Sequence, residues 1–206
     1  MAAVKNISQV NLDDCTAAII AGGKAKRMGG IPKGLIEVGG EPILAHLKKL
    51  LATLFPRTIL ICNDPAPYVS FALETHPDVI PNKGAPGGVH SALAHASSDW
   101  VFAVGCDMPH IYPAAIQWIA AHRAHFWDAV VVAHKARIES LHSFYRTTGF
   151  PAFDAALRAG DPNFRDILKN LRTKTLHEKE LLAAHMPLRT FWNINTPADL
   201  ERVAGK

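Results

Sequence analysis

The residues best suited to chemistry lie between Ala21 and Ile36, where Gly22, Gly23, Gly29 and Gly30 are set among Lys24, Lys26, Arg27 and Lys33, with no acidic side chain. Gly22 and Gly23 let a bound group approach the backbone where a Cβ would collide. Gly29 and Gly30 permit a second turn, so that successive N–H groups can curl around an anion as a nest. Arg27 offers a planar fork for two oxygens, and Lys33 a mobile point charge. The partner such a loop expects is a small polyanion carrying phosphates. Neither G-x-x-x-x-G-K-[ST] nor G-x-G-x-x-G can be fitted here, which excludes a P-loop and removes the main support for a dinucleotide-dependent dehydrogenase. The second candidate is Asp107, between an apolar run and Met108-Pro109. A carboxylate facing a triphosphate repels it unless a cation lies between them, and Mg²⁺ is typically held by one or two carboxylates plus phosphate oxygens.

The elements that must position these groups follow from the hydrophobic pattern. Residues 16–21, 57–62, 100–106 and 128–134 are short continuous apolar runs, as expected of parallel strands covered on both faces. A weaker strand is expected at 78–80. Residues 42–54 carry Ile43, Leu44, Leu47, Leu50, Leu51 and Leu54 on one helical face. Further helices are expected at 88–96, 113–125, 149–159, 163–171 and 196–204, the last capped by Thr196 ahead of Pro197. Residues 137–146 read as a strand or hairpin arm. Strands alternating with helices predict an α/β fold, a doubly wound, mostly parallel sheet with helices on both faces. The glycine loop and Asp107 then share the carboxyl edge, where open α/β sheets bind ligands.

The chain has 206 residues, 49% hydrophobic and 19% charged, which fits one domain, expected over 16–206 after an extension at 1–15 that is loosely attached. Its net charge of +4 is too small for a nucleic-acid stripe, so no nucleic-acid partner is expected. Three cysteines without close pairing point away from a disulfide framework. The opening residues lack the apolar core of a secretory signal, and no stretch is apolar for long enough to cross a membrane. The expectation is a soluble, cytoplasmic protein with no membrane partner. No Cys-x-x-Cys or His-Glu-x-x-His pattern supports zinc.

The segment from Ile20 to Leu35 resembles the signature loop of molybdenum cofactor guanylyltransferases, which join GMP from GTP to molybdopterin and release pyrophosphate. The resemblance continues through Gly40-Glu41-Pro42-Ile43-Leu44, Gly84-Ala85-Pro86-Gly87-Gly88, Cys106-Asp107-Met108-Pro109 and Asn193-Ile194-Asn195-Thr196-Pro197-Ala198-Asp199-Leu200. It implies a Rossmann-like nucleotidyltransferase fold, GTP and molybdopterin as substrates, Mg²⁺ as cofactor, and transient contacts with cofactor-handling proteins. Lys33, Arg27 and Asp107 are implied as catalytic, with Asp107 holding the metal. Ile20, Ala21 and Gly22 match positions whose backbone lies against the nucleotide. Gly23 stands where related cytidylyltransferases tend to place alanine. Asn63 matches a common asparagine, and its other reading is a turn residue before Asp64-Pro65. Asn82 falls where the family often carries an aspartate. Residues 139–146 resemble a segment facing the pterin, making His142 and Arg146 acceptor-binding candidates together with Asn193 and Asn195. The pattern of 139–146 also suits a hairpin strand with exposed polar residues. A nucleotidyltransferase of the same fold using CTP or a sugar-phosphate acceptor, and a non-catalytic nucleotide or pterin carrier, stay open beside this reading.

Overall fold

The computed structural model describes residues 9–22, 31–135 and 137–204. Strand β1 (Cys15–Ile20) is buried along its whole length. A small antiparallel hairpin of β2 (Glu37–Val38) and β3 (Glu41–Pro42) leads into α1 (Ile43–Ala52), followed by β4 (Arg57–Ile61) and β5 (Glu74–His76). Helix α2 (Gly84–His95), β6 (Trp100–Gly105), α3 (Pro113–Ala120), β7 (Ala129–His134), β8 (Arg137–Ile138) and β9 (His142–Arg146) come next. The chain ends with α4 (Phe150–Ala159), α5 (Phe164–Leu168), β10 (Thr173–His177), α6 (Glu178–Ala183) and α7 (Pro197–Ala204).

The main sheet runs β10-β7-β9-β6-β1-β4-β5, with β8 paired to β7. Strands β4, β5, β6, β7 and β10 all run with β1, whereas β9 is antiparallel between β6 and β7. Alternation along β1 explains the two cores. Ala17 and Ile19 join Leu44, Leu47, Ile116, Ile119 and Leu181 on one face, under α1, α3 and α6. Ala18 and Ile20 join Val89, Phe153 and Ile167 on the other, under α2, α4 and α5. The fold is therefore the doubly wound α/β sheet expected from the pattern. No helix among the described residues is long and apolar enough to cross a membrane.

Several boundaries differ from the sequence expectation, each for a physical reason. The expected strand at 78–80 is absent. The edge strand β5 lies just before it, and Pro77, lacking an N–H, ends the ladder; Val79 N instead donates to Ser91 Oγ at 2.8 Å. Helix α2 begins at Gly84 rather than at 88, since Pro86 is tolerated in a first turn. Residues 137–146 form two strands, β8 and β9, rather than one arm. Residues 9–15 are not loosely attached. Leu12 is buried, Cys15 opens β1, and Val10 N donates to Gln117 Oε1 at 2.7 Å.

Candidate active site

The parallel strands β1, β4 and β6 end together at Ile20, Ile61 and Gly105, and the site is built just beyond them. The order β6-β1-β4 places the connection after β1 at the switch point, where the chain passes to one side of β1 and later returns to the other. Lys33 opens a short 3-10 turn, Lys33–Leu35, that packs tightly because Gly34 has no side chain. A Cβ there would lie 3.1 Å from Tyr68 Cε1 and 3.3 Å from Leu44 Cβ. Lys33 Nζ donates to Asp107 Oδ2 at 2.7 Å and to Asn195 Oδ1 at 2.6 Å. Both ends of the ion pair keep some solvent contact, with side chains 22% and 17% exposed, so an incoming ligand can reach them.

Asp107 owes its position to two neighbours. A Cβ on Gly105 would lie 2.7 Å from Asp107 Oδ1, so the strand's last residue leaves room for the carboxylate. Ile194 N donates to Asp107 O at 2.9 Å, tying the C-terminal segment to the strand end. That segment is held in turn by a cap on α7. Asp199 Oδ2 accepts from Asn195 N, Thr196 N and Thr196 Oγ1, while Thr196 Oγ1 accepts from Asp199 N. The expected N-cap at Thr196 is thus present, and it also presents Asn195 to Lys33.

A cavity of about 640 Å³ opens beside this cluster, running from Lys33 and Gly22 to Asn63, Asp78 and Asn82. Ala21 and Gly22 line it, whereas Ile20 is buried beneath, its side chain against α2 where a Cβ on Gly88 would come within 2.4 Å of Ile20 Cγ2. Asn63 lies two residues beyond β4 and locks onto Asp78: its Nδ2 donates to Asp78 Oδ2 at 2.7 Å and its Oδ1 accepts from Asp78 N at 2.8 Å. Asn63 therefore acts as a loop-holding residue, and its side of the cavity is open to a ligand. Asn82 has a left-handed backbone (φ 63°) and also lines the wall. Gly23 and Arg27 lie outside the described residues. Asp78 and Tyr68 are wall residues the motifs did not single out. Position past Pro77 at the carboxyl end of an edge strand is the signal that could have found Asp78.

Two acceptor candidates are not where the resemblance implies. His142 opens β9 opposite Val104, near the carboxyl end of β6, but is fully buried, with Nε2 3.1 Å from Thr190 Oγ1 and its ring edge-on to Phe102 and Phe191. Burial alone pushes its pKa down to about 3, so it is a neutral core histidine. Arg146 pairs with Trp100, the first residue of β6, so it sits at the opposite edge of the sheet, roughly 17 Å along the strand from the site. Its guanidinium donates to His125 O. Strand β9 runs antiparallel, so its last residue points away from the catalytic edge. Asn193 lines a second cavity of about 340 Å³ with His134, Arg137 and Glu139. Burial there raises the Glu139 carboxyl to about 7. Asn195 lies next to Lys33 rather than at the far rim the resemblance gives it.

The donor set limits what metal the site can hold. Among the described residues no cluster of three or more His, Cys, Asp or Glu could bind an ion by itself. One carboxylate, Asp107, fits a Mg²⁺ whose other ligands are phosphate oxygens and water, a common arrangement for that ion.

Residues 17–176 match the family described as the MobA-like NTP transferase domain. A molybdenum cofactor guanylyltransferase from Syntrophotalea carbinolica is 32% identical, over 91% of this chain and 89% of that one. A probable molybdenum cofactor guanylyltransferase from Carboxydothermus hydrogenoformans is 30% identical, over 93% of this chain and 96% of the other. In fold, the chain is similar to molybdopterin-guanine dinucleotide biosynthesis protein A from Archaeoglobus fulgidus, with TM-score 0.76 and 23% identity over 92% of this chain and 97% of that one. Matched over most of its length, on a sheet whose carboxyl edge sets Lys33 beside Asp107, the chain belongs to the MobA-like NTP transferases, in the molybdenum cofactor guanylyltransferase family.

Proposed function

We propose that the protein transfers GMP from GTP to the phosphate of molybdopterin, forming molybdopterin guanine dinucleotide and releasing pyrophosphate. The single observation that carries this reading is the Asp107–Lys33–Asn195 cluster, whose Lys33 lines the large cavity. A phosphate oxygen of the acceptor forms a bond to the α-phosphorus while the bond from that phosphorus to the β-bridging oxygen breaks. The attacking phosphate is already ionised near neutral pH, so no general base is needed. Two anions must meet, which makes neutralisation and positioning the main contributions of the protein. Lys33 Nζ supplies positive charge at the α-phosphate, and Asn195 orients it while adding no charge of its own. Asp107 is the residue that would hold magnesium, which when bound screens the triphosphate. Arg27 has a fork suited to the departing diphosphate. Asn193 borders the smaller cavity two residues from Asn195, which supports placing the pterin there and its phosphate toward Lys33.

Pyrophosphate release from purified protein, molybdopterin, Mg²⁺ and each of the four common NTPs in turn tests the reading. GTP is expected to be the donor and chelation of the metal to stop turnover. Preference for CTP, or undiminished turnover in chelator, overturns the corresponding part.

A further inference from the structure

We propose that Asp78, oriented by Asn63, is the residue that selects guanine, a role that rests on the guanylyl reading above. The large cavity is polar in opposite senses at its two ends. Lys33, tied to Asp107 after β6, stands to one side of β1, and Asp78, held by Asn63 past β4 and β5, stands to the other, with Asp64 also in the lining. A nucleoside triphosphate placed with its phosphates at Lys33 brings its base to the acidic end. Guanine offers two adjacent donors there, N1–H and the 2-amino group, which a single carboxylate can accept together. Adenine and cytosine each present one exocyclic amine beside a ring acceptor, so the same carboxylate meets one donor and one lone pair. Discrimination follows from the repulsive contact as much as from the attractive one.

Of the two carboxylates, Asp78 is the one built for this. Asn63 fixes it from both sides, donating to Oδ2 at 2.7 Å and accepting from its backbone N at 2.8 Å. That leaves Asp78 Oδ1 with no hydrogen-bond partner among the described residues, half-buried on the cavity wall. Asp64 is exposed and already accepts from Ala66 N at 3.3 Å at the head of the 3-10 turn. Asn82, on the same wall, carries no charge, and its amide sets one acceptor beside one donor where a carboxylate sets two acceptors.

Calorimetric titration of GTP, ITP and CTP into the full-length protein in magnesium buffer tests the proposal, with Asp78→Asn alongside. ITP lacks only the 2-amino group. Wild-type protein is expected to bind GTP roughly ten- to hundredfold more tightly than ITP. In Asp78→Asn the GTP affinity falls toward that of ITP, while ITP changes less. Asn63→Ala, which frees the carboxylate, lowers the GTP-over-ITP ratio part of the way, and it carries the test should Asp78→Asn fail to fold. Equal wild-type affinity for GTP and ITP, an unchanged ratio in the variants, or a ratio that moves with Asp64→Asn instead, overturns the assignment. Wild-type protein binding CTP as tightly as GTP overturns the guanylyl reading itself.

Discussion

Lys33 joins three separated parts of the chain through one amine, since its own turn, the end of β6 at Asp107 and the approach to α7 at Asn195 meet at Nζ. Removing the carboxylate should therefore affect catalysis more than folding. Asp107→Asn keeps the shape and is expected to lower kcat by roughly 10²- to 10³-fold, in line with losing one charge-stabilising group. Steady-state GMP transfer checks this, and a melting temperature near the wild-type value separates it from misfolding. At this scale the sequence was informative where residue type and place in the chain coincide. A glycine-flanked lysine after one buried strand and an aspartate after another can be read without coordinates. Arg146 is not legible in that way, because alternation in a strand does not reveal its direction in the sheet; His142 pairs with Val104 near the site edge, and what rules it out is burial that the pattern does not show. The closing Asn-Ile-Asn-Thr-Pro motif draws attention to Asn195, but only the geometry makes it the partner of Lys33.

Among the elements, α2 shows how closely the scaffold is fitted to the site. Gly88 lies against Ile20, leaving no space for a methyl group, with a Cβ approach of 2.4 Å to Cγ2. Ile20 is β-branched and buried at the end of β1, so it cannot easily turn aside. Gly88→Ala is expected to destabilise the protein by about 1–3 kcal/mol through overpacking, measured by chemical denaturation. A neutral or stabilising result would mean that α2 is free to shift. The parallel inner strands β1, β4, β6 and β7 were legible because both faces are covered and most of their residues are apolar. Strand β10 was not, since four of its five residues, Thr173, Lys174, Thr175 and His177, are polar and only Leu176 is buried. An edge strand with one covered position looks like a loop in sequence. Strand β5 was displaced by a few residues for the opposite reason, as apolar Val79 and Ile80 attract attention while Pro77 has already ended the ladder.

For the whole molecule, folding commits buried titratable groups to one protonation state, and acid exposes that commitment. His142 is held down to about 3 from an ordinary 6.5 by burial, and burial also lowers His90. Between pH 6.5 and 3 the unfolded chain takes up a proton at His142 that the native state refuses, so stability falls as pH drops through this window. His142→Gln, which can keep a hydrogen bond to Thr190, is expected to flatten the dependence between pH 6.5 and 4.5. Urea midpoints across that range check it, and an unchanged slope would contradict it. Asp128 acts lower. Arg172 leads in depressing its carboxyl to about 2, so its contribution is present above 3.8 and is lost only as pH falls toward 2. The two windows overlap only between about pH 3.8 and 3, so the range above 3.8 reports His142 without Asp128.

The central claim is that Lys33 and Asp107 act on one triphosphate as a unit. Single-turnover GMP transfer from GTP by wild type, Lys33→Ala, Asp107→Asn and the double variant tests this directly. Coupled groups give non-additive losses, so the double variant is expected to be little slower than the worse single one. A double variant whose loss equals the product of the two single losses would contradict the account.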